Sequence, residues 1–374
     1  MIKNIHQKIS FHPGNIAGAF ADGAILFPLL AALAIHTGMN GAVLMASAGL
    51  AYIFAGLFFR VPMSVQPLKS IVVGALAMGA SATEIRIAGL GIGLFCLALA
   101  VLPVDRLEKY IPRHLIHGIQ FSLGILLLLK GIEWAWGGGS AASLAAVGLF
   151  VPAAIFIQSR LTVPVLGIIA VLGVIAGVWE GGHAAAAGAV VQKTGIRADI
   201  IVALLLPQLA LTLTNSVVGT YDTAHRYFGA AAFRVTLRRL LISIGFGNIL
   251  AAFVGGLPFC HGSGGVTAHV KAGARGYSMN LYIGSFLVAL ALISIAFKID
   301  LIPHYPMLLM AALVSITGWH HMRLADDSWA VRDLRLIVLA MGAVVLVTQN
   351  MLYGLLIGLV FEALRRNRWL GMRQ

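Results

Sequence analysis

Long apolar runs alternate with short polar stretches along the whole chain. Their boundaries predict about fourteen helical segments of a length that could cross a membrane, although a few are shorter than the usual twenty residues or so. The segments cover residues 14–36, 41–59, 62–80, 85–103, 114–133, 141–158, 162–179, 200–220, 237–255, 258–275, 279–297, 303–318, 333–349 and 350–364. The pattern therefore predicts an all-α polytopic membrane protein.

Composition supports this prediction. Apolar residues make up 60% of the 374 positions and charged residues only 10%, with a mean hydropathy of +0.94. A soluble domain carries about a quarter charged residues. The 43 glycines suit closely packed or interrupted transmembrane helices.

The net charge of +13 could suggest a nucleic-acid partner, but the basic residues form no continuous face. Membrane topology explains their distribution better. With the amino terminus in the cytoplasm, most basic residues fall on the cytoplasmic side, as the positive-inside rule expects. Lys69 lies within the membrane, and few basic residues fall outside: Arg86, Lys130, Lys193, Arg197 and Lys298. We therefore predict that both termini are cytoplasmic and that the chain binds no nucleic acid.

The amino terminus has no short apolar core with a small-residue cleavage site, so no cleaved signal peptide is predicted. Cys96 and Cys260 both fall in apolar segments. Their number and spacing suggest neither a disulfide framework nor a metal site. No cofactor is predicted.

The chain divides into two halves, each with seven of the predicted segments. An odd number of crossings places the start of the second half on the opposite side of the membrane, so any repeat would be inverted. The third and tenth segments are both short and both open with residues that disfavour a continuous helix, Pro62 and Pro258. Interrupted segments at matching positions of two halves point to a transporter's binding site.

Two prolines interrupt the third segment, in VPMSVQPLKS. Each removes a backbone donor and disfavours helix in the residue before it. We predict extended chain over residues 62–66 and a half-helix from Pro67 onward. The first turn of a helix presents free N–H groups and a partial positive charge, which suits an anion. The candidate substrate contacts in this stretch are Ser64, Val65 and Gln66.

Lys69 follows in the first turn of the predicted half-helix. An ammonium group within a membrane segment costs about 2.5–3.5 kcal/mol on the insertion scale, which favours a functional or paired role. We predict that Lys69 binds substrate. The alternative is that it neutralises a buried carboxylate and never touches substrate.

Glycines surround a serine at the start of the tenth segment, in PFCHGSGG. Glycine lets a backbone approach a ligand closely, and consecutive N–H groups can form a nest for an anion. The candidate contacts are His261, Gly262, Ser263 and Gly264, with His261 also a candidate proton carrier. The alternative is a glycine cluster for helix packing beside a hydrogen-bonded histidine.

Two further segments frame these stretches. Asp22 in the first segment is an acid at membrane depth, which suggests a proton relay or a partner for Lys69; the alternative is a purely structural ion pair. Residues 222–226 after the eighth segment are predicted to be an interfacial loop. The eighth segment carries three polar residues spaced to share one inward helix face, for ligand contact or for packing: Gln208, Thr212 and Asn215.

Three stretches resemble the molybdate transporter family, a relative of the sulfate permeases. They are PMSVQPLKS (62–70), PQLALTLTNSV (207–217) and LPFCHGSGGVTAHVKAGAR (257–275), and the similarity extends over nearly the whole chain. The first helix of the family usually reads Gly-Asp-Leu-Gly, whereas residues 21–24 here read Ala-Asp-Gly-Ala.

The resemblance implies a seven-plus-seven inverted repeat like that of uracil permeases. The core domain would comprise residues 1–104 and 200–298, and the gate domain residues 105–180 and 299–374. An extracytoplasmic linker, 181–199, would join the halves. Substrate would lie between the starts of the third and tenth segments.

The implied function is import of molybdate or sulfate by alternating access through a bacterial plasma (inner) membrane. Because a dianion must enter against a negative interior, proton coupling is expected. The expected partners are a small oxyanion, protons and membrane lipid, with a possible homodimer.

Three other functions remain open. The same fold could carry a different anion or a nucleobase, or the chain could be an anion channel. A membrane enzyme built on Cys260 and His261 is disfavoured, because adjacent residues do not face each other on a helix and no orienting acid is near them in sequence.

Overall fold

The computed structural model describes residues 9–104, 113–137, 139–161, 164–180, 195–302 and 304–371. The first half contains α1 (Pro13–Ala19), α2 (Gly23–Thr37), α3 (Gly41–Phe59), β1 (Gln66–Pro67), α4 (Lys69–Met78), α5 (Ala82–Ala100), α6 (Arg113–Trp136), α7 (Ala141–Arg160) and α8 (Val165–Glu180). The second half contains α9 (Ala198–Leu211), α10 (Gly219–Phe228), α11 (Leu237–Val254), β2 (Phe259–Cys260), α12 (Ser263–Lys271), α13 (Ser278–Phe297), α14 (Met307–Arg323), α15 (Arg332–Thr348) and α16 (Met351–Gly371).

The helices follow the predicted segments in order. Within the described ranges, eight stretches are long and apolar enough to cross a membrane by length and composition. Helix α16 continues to Gly371, beyond the predicted end at residue 364. Most of the predicted linker, residues 181–194, lies outside the described residues.

The first segment is broken, where the sequence predicts a continuous helix. Helix α1 ends at Ala19 and α2 begins at Gly23, and the turn between them is closed by hydrogen bonds between residues three apart. Gly167 of α8 packs directly against the carbonyl of Phe20 in this turn, where a side chain would collide. The break places Asp22 at the start of α2, facing the centre of the molecule.

Three helix pairs pack through facing glycines: α3 with α13, α5 with α11, and α6 with α14. A methyl group on any of these glycines would lie 2.6–3.1 Å from the carbonyl oxygen of its partner. Small residues allow this close backbone approach, which drives helix association in lipid. The facing pairs are Gly49 with Gly284, Gly93 with Gly245, and Gly124 with Gly318.

The outer surface carries large apolar side chains, including Leu149 and Phe156 on α7, Phe253 on α11 and Leu292 on α13. Such a surface suits hydrocarbon, as an integral membrane protein requires.

Two short strands pair at the centre of the molecule, and this pair is called the crossing below. Strand β1 pairs with β2 antiparallel, with Gln66 opposite Cys260 and Pro67 opposite Phe259. Residues 62–65 form neither helix nor strand, and α4 starts at Lys69, two residues later than predicted, because Pro67 belongs to the strand.

Two asparagines hold the chains that form the crossing. Asn280 accepts from the Met63 N–H (3.0 Å) and donates to its carbonyl (2.6 Å). Asn248 does the same for Phe259, at 3.0 and 2.7 Å. Backbone groups that cannot reach water inside a membrane are thereby satisfied.

Candidate functional site

The two half-helices α4 and α12 begin on either side of the crossing. Each follows a strand of the antiparallel ribbon, so the helices run away from the centre in opposite directions. Their first turns carry the positive ends of two helix dipoles. The geometry is that of an anion site between two helix starts.

Lys69 belongs to a buried hydrogen-bond network of three side chains. Its Nζ donates to Gln66 Oε1 at 2.5 Å, and Gln66 Nε2 donates to Asp22 Oδ1 at 2.6 Å. All three side chains are at most 7% exposed. An amide therefore separates the ammonium from the carboxylate, and within the described part of the chain Lys69 makes no direct ion pair.

Gln66 also connects Lys69 to the other half-helix. Its Oε1 packs against Gly262, the residue before α12, so closely that a side chain at position 262 would collide with it. Lys69 thus lies beside the start of α12 as well as at the start of its own helix.

The start of α4 is occupied by protein groups. Gln208 of α9 accepts from the backbone N–H of Ser70 at 3.0 Å and donates to Thr212 at 3.1 Å. The Ser70 hydroxyl contacts the sulfur of Met351 at the start of α16. The first turn of α4 is therefore partly closed.

The start of α12 is more open. Ser64 Oγ accepts from the Gly262 N–H at 3.0 Å and donates to the Gly262 carbonyl at 2.7 Å. Ser263 donates its hydroxyl to Asn215 Oδ1 at 2.7 Å. Gly264 is exposed, and apart from its chain neighbours and its own helix backbone no described atom lies within 4 Å of where its Cβ would be.

Gly265 has the opposite environment. A Cβ there would lie 2.6 Å from Ser64, 2.7 Å from Gln66 Nε2 and 2.9 Å from Asp22 Oδ2. One face of the first turn of α12 is therefore packed against the crossing, and the adjacent face is open to a ligand.

The eighth segment supplies polar groups to both half-helices, whereas its spacing predicted only a shared inward face. Gln208 reaches α4 and Asn215 reaches α12. The segment is not a regular helix, because a π-helical stretch, Thr212–Val218, interrupts it. Such stretches are frequent at functional sites. The predicted loop at residues 222–226 is wrong, since these residues continue the helix as part of α10.

His261 has protein partners at both ring nitrogens. Nδ1 lies 2.8 Å from the Ser64 carbonyl and Nε2 lies 2.8 Å from the Ser243 hydroxyl. The ring is fully buried, with the edges of Phe59 and Phe259 against it. In this structure neither nitrogen is available to an anion, so the geometry favours the alternative of a hydrogen-bonded histidine. Its role in substrate binding stays a prediction.

The structure brings in residues that the sequence did not single out. Tyr52 and His269 are fully buried near Asp22, and His321 of α14 lies within electrostatic range of Lys69. Each stands alone in an apolar stretch or carries no diagnostic spacing. Only the packing of distant helices identifies them.

A family model described as "Molybdate transporter of MFS superfamily" matches residues 14–127 and 200–320. These ranges contain all the predicted site residues. Molybdate transporter 1 of Chlamydomonas reinhardtii is 24% identical, over 92% of this chain and 90% of its own length. Molybdate transporter 2 of Arabidopsis thaliana is 22% identical, over 95% and 88%.

Two solved structures have a similar fold. The transmembrane domain of the cyanobacterial bicarbonate transporter BicA superposes with a TM-score of 0.65 and 19% identity, covering 94% of this chain and 98% of that one. The murine anion transporter Slc26a9 in its inward-facing state gives a TM-score of 0.69 and 14% identity, covering 99% and 69%.

Proposed function

Because the chain belongs to the family of molybdate transporters, we propose that it imports a tetrahedral oxyanion, most simply molybdate or sulfate, by proton-coupled alternating access. It is an integral membrane anion transporter. The observation that carries the proposal is the pair of half-helix starts at the crossing, with Lys69 beside both of them.

The proposed binding site uses backbone and side-chain donors at these starts. The open N–H groups of Ser263 and Gly264 and the ammonium of Lys69 would contact the oxyanion. Ser64, Val65, Gln66 and Gly262 form the crossing behind it. Gln208, Thr212 and Asn215 orient the two helix starts. The predicted direct contact through His261 would require release of its present partners.

Charge balance supports a proton as the coupling ion. Lys69 contributes one positive charge, and each helix start contributes roughly half a charge. The total of about two positive charges matches the charge of a dianion. An ionised Asp22, joined to Lys69 through Gln66, would remove about half of this compensation. A proton on Asp22 would restore it, so substrate and proton would bind together.

The membrane potential gives a second reason. Each charge that moves across 100 mV is worth about 2.3 kcal/mol, so inward movement of a dianion would cost roughly twice that amount. Protons that enter with the dianion would offset this cost. We also propose a bacterial plasma membrane as the protein's location, with both termini cytoplasmic, and lipid and a second copy of this chain as its partners.

We further propose that the fold is an inverted repeat. Gln66 and Cys260 are paired at the crossing, Lys69 and Ser263 begin the half-helices, and Gly124 and Gly318 face each other. Each pair is separated by the same number of residues (260 − 66 = 263 − 69 = 318 − 124 = 194). A two-fold axis through the Gln66–Cys260 pair would also exchange the packed pairs α3–α13 and α11–α5.

The predicted domains follow from this symmetry. Helices α1–α5 and α9–α13 would form the core domain, residues 1–104 and 200–298, which carries the site. Helices α6–α8 and α14–α16 would form the gate domain, residues 105–180 and 299–374. The Ser70–Met351 contact would then lie between the domains and change during transport.

A second candidate is transport of a different anion, because BicA, described as a bicarbonate transporter, has the same fold. A nucleobase is a weaker candidate, since the helix starts carry a lysine and no aromatic platform. An anion channel would use the same helix dipoles.

Uptake into proteoliposomes separates these functions. Labelled molybdate should accumulate when the outside is acidic, and unlabelled molybdate, tungstate or sulfate should compete. Bicarbonate and uracil should not compete. Equal uptake without a pH gradient, or flux too fast for a turnover cycle, would contradict proton-coupled transport.

A further inference from the structure

Three buried polar atoms behind the candidate site have no hydrogen-bond partner among the described residues. They are Asp22 Oδ2, His269 Nε2 and the Tyr52 hydroxyl, which makes a longer contact with the backbone of Val65. None of the three residues is more than 2% exposed. An unsatisfied buried polar group costs about 1–3 kcal/mol, so a group of three needs a functional or solvent partner.

The three residues come from distant parts of the chain and meet in one place. The ring of Tyr52 meets that of His269 edge-on, with centroids 6.2 Å apart and planes at 85°. Asp22 lies within electrostatic range of the Tyr52 hydroxyl. Gly265 packs against Asp22 Oδ2, and His269 follows four residues later on the same face of α12.

The hydrogen bonds around the group fix its protonation pattern. Nδ1 of His269 lies 2.7 Å from the Gly18 carbonyl, which can only accept. Nδ1 therefore carries the hydrogen and Nε2 presents a lone pair, in the neutral ring. Asp22 Oδ1 is occupied by Gln66, which leaves Oδ2 toward the group. Tyr52, whose hydroxyl can both donate and accept, contacts the His269 ring and lies within electrostatic range of Asp22.

We propose that Asp22, Tyr52 and His269 form a water-bridged proton relay that serves the transport cycle. This inference rests on the proposed function, because Asp22 also adjoins the Gln66–Lys69 pair of the substrate site. The relay would connect that site with the end of α12, where Lys271 and Arg275 mark the predicted cytoplasmic side.

The proton balance of one transfer is simple. A proton leaves the Asp22 carboxyl and passes through a bridging water to the Tyr52 oxygen. The original hydroxyl proton of Tyr52 passes to Nε2 of His269, also through water where the gap requires it. The products are an Asp22 carboxylate, an unchanged tyrosine and a His269 imidazolium.

The charged groups around the relay favour movement of the proton from Asp22 through His269 and onward. Lys69, held by Gln66, stabilises the Asp22 carboxylate once the proton has left. Beyond His269, the guanidinium of Arg275 donates to the carbonyls of Val270 and Ala274, and Lys271 is exposed. Cations on that side disfavour a long-lived imidazolium, so the proton would pass onward.

The test uses two variants that each remove one link of the relay. Tyr52→Phe removes the hydroxyl and keeps the ring. His269→Asn keeps a donor for the Gly18 carbonyl and removes the lone pair at Nε2. Tyr305→Phe is the matched control, because it removes another buried hydroxyl, which donates to the Ala170 carbonyl at 3.1 Å away from the relay.

Each purified full-length variant would be assayed in proteoliposomes for two activities. The first is accumulation of molybdate driven by a pH gradient, with proton entry followed by an internal pH dye. The second is exchange of labelled for unlabelled molybdate at equal pH, which needs no proton release. We expect Tyr52→Phe and His269→Asn to lose accumulation by about tenfold or more and to keep exchange within about twofold of wild type.

Other outcomes would overturn the relay. Accumulation and proton entry at the wild-type level in both variants would overturn it. Accumulation that is driven by a sodium gradient and is lost in Tyr52→Phe would also overturn it. Equal loss of accumulation and exchange, with normal thermal stability, would assign the residues to substrate binding instead. Failure of the wild-type protein to bind or exchange molybdate would refute the proposed function, a result distinct from failure of the relay alone.

Discussion

The two half-helices of this transporter start from one crossing but present different chemistry. The first turn of α4 is partly closed, since Gln208 accepts from the Ser70 N–H and Lys69 donates to Gln66. The first turn of α12 is open at Gly264 and carries no lysine or arginine. The two helix starts therefore differ, with a cation at the start of α4 and open space at the start of α12. An anion bound between them would pair with Lys69 of α4 and would occupy the open space beside Gly264 of α12.

The largest expected loss of molybdate affinity follows from removal of the cation at the start of α4. Lys69→Ala would leave the dianion with helix dipoles alone. Removing one partner of a buried charged contact costs about 2–5 kcal/mol, so the affinity for molybdate should fall by roughly 30-fold or more. Equilibrium binding to the purified protein measures this directly.

Lys271→Ala is the control for Lys69→Ala, because Lys271 is an exposed lysine at the other end of α12. It should bind molybdate as wild type does. Unchanged affinity in Lys69→Ala would remove Lys69 from the site and support the alternative that it only balances Asp22.

A smaller loss of affinity is expected at the start of α12, where substitutions at two adjacent glycines should affect binding and stability separately. Gly264→Ala adds a methyl group that meets no described atom outside its own helix, so stability should hold or rise by about 0.5–1 kcal/mol. The same methyl would occupy the proposed anion space, and the affinity for molybdate should fall by about tenfold. Thermal unfolding and binding of the same sample give both values.

Gly265→Ala should behave in the opposite way. Its methyl would meet Ser64, Gln66 and Asp22, and overpacking of this kind costs about 1–3 kcal/mol of stability. If Gly264→Ala bound molybdate normally, the open face of α12 would not be the binding face.

The smallest effect on affinity is expected at His261, whose nitrogens both have protein partners. Ser243→Ala removes the partner of Nε2 without changing the ring, and should lower stability by about 1–3 kcal/mol because a buried nitrogen loses its bond. Molybdate affinity should stay within about twofold in this variant. A large loss of affinity with unchanged unfolding temperature would restore His261 as a substrate contact.

Much of the fold could be predicted from hydrophobic periodicity and from prolines and glycines. The helices occur in the predicted order, and the interruptions near Pro67 and Gly262 lie where the breakers are. These signals are local, because a proline acts on its own backbone and on the residue before it. The break at Asp22 and the π-helical stretch after Leu211 have no equally strong local signal. They depend on packing, as the close approach of Gly167 to the Phe20 carbonyl illustrates.

The site residues divide in the same way. Lys69, Gln66, Gln208 and Asn215 could be predicted because polar groups in a membrane segment must find polar partners. The sequence could not predict which partners these polar groups contact. The insertion of Gln66 between Lys69 and Asp22, and the meeting of Tyr52 with His269, join residues that are far apart in sequence.

The position of the anion can be measured with tungstate, because its heavy atom is visible by anomalous diffraction or electron cryo-microscopy. We predict one tungstate site at the crossing, with oxygens within hydrogen-bond distance of the Gly264 N–H and the Lys69 ammonium. We also predict that Lys69→Ala empties this site. Tungstate bound elsewhere, such as in the cavity lined by Asp199, Asn350 and Tyr353, with none at the crossing, would contradict this position.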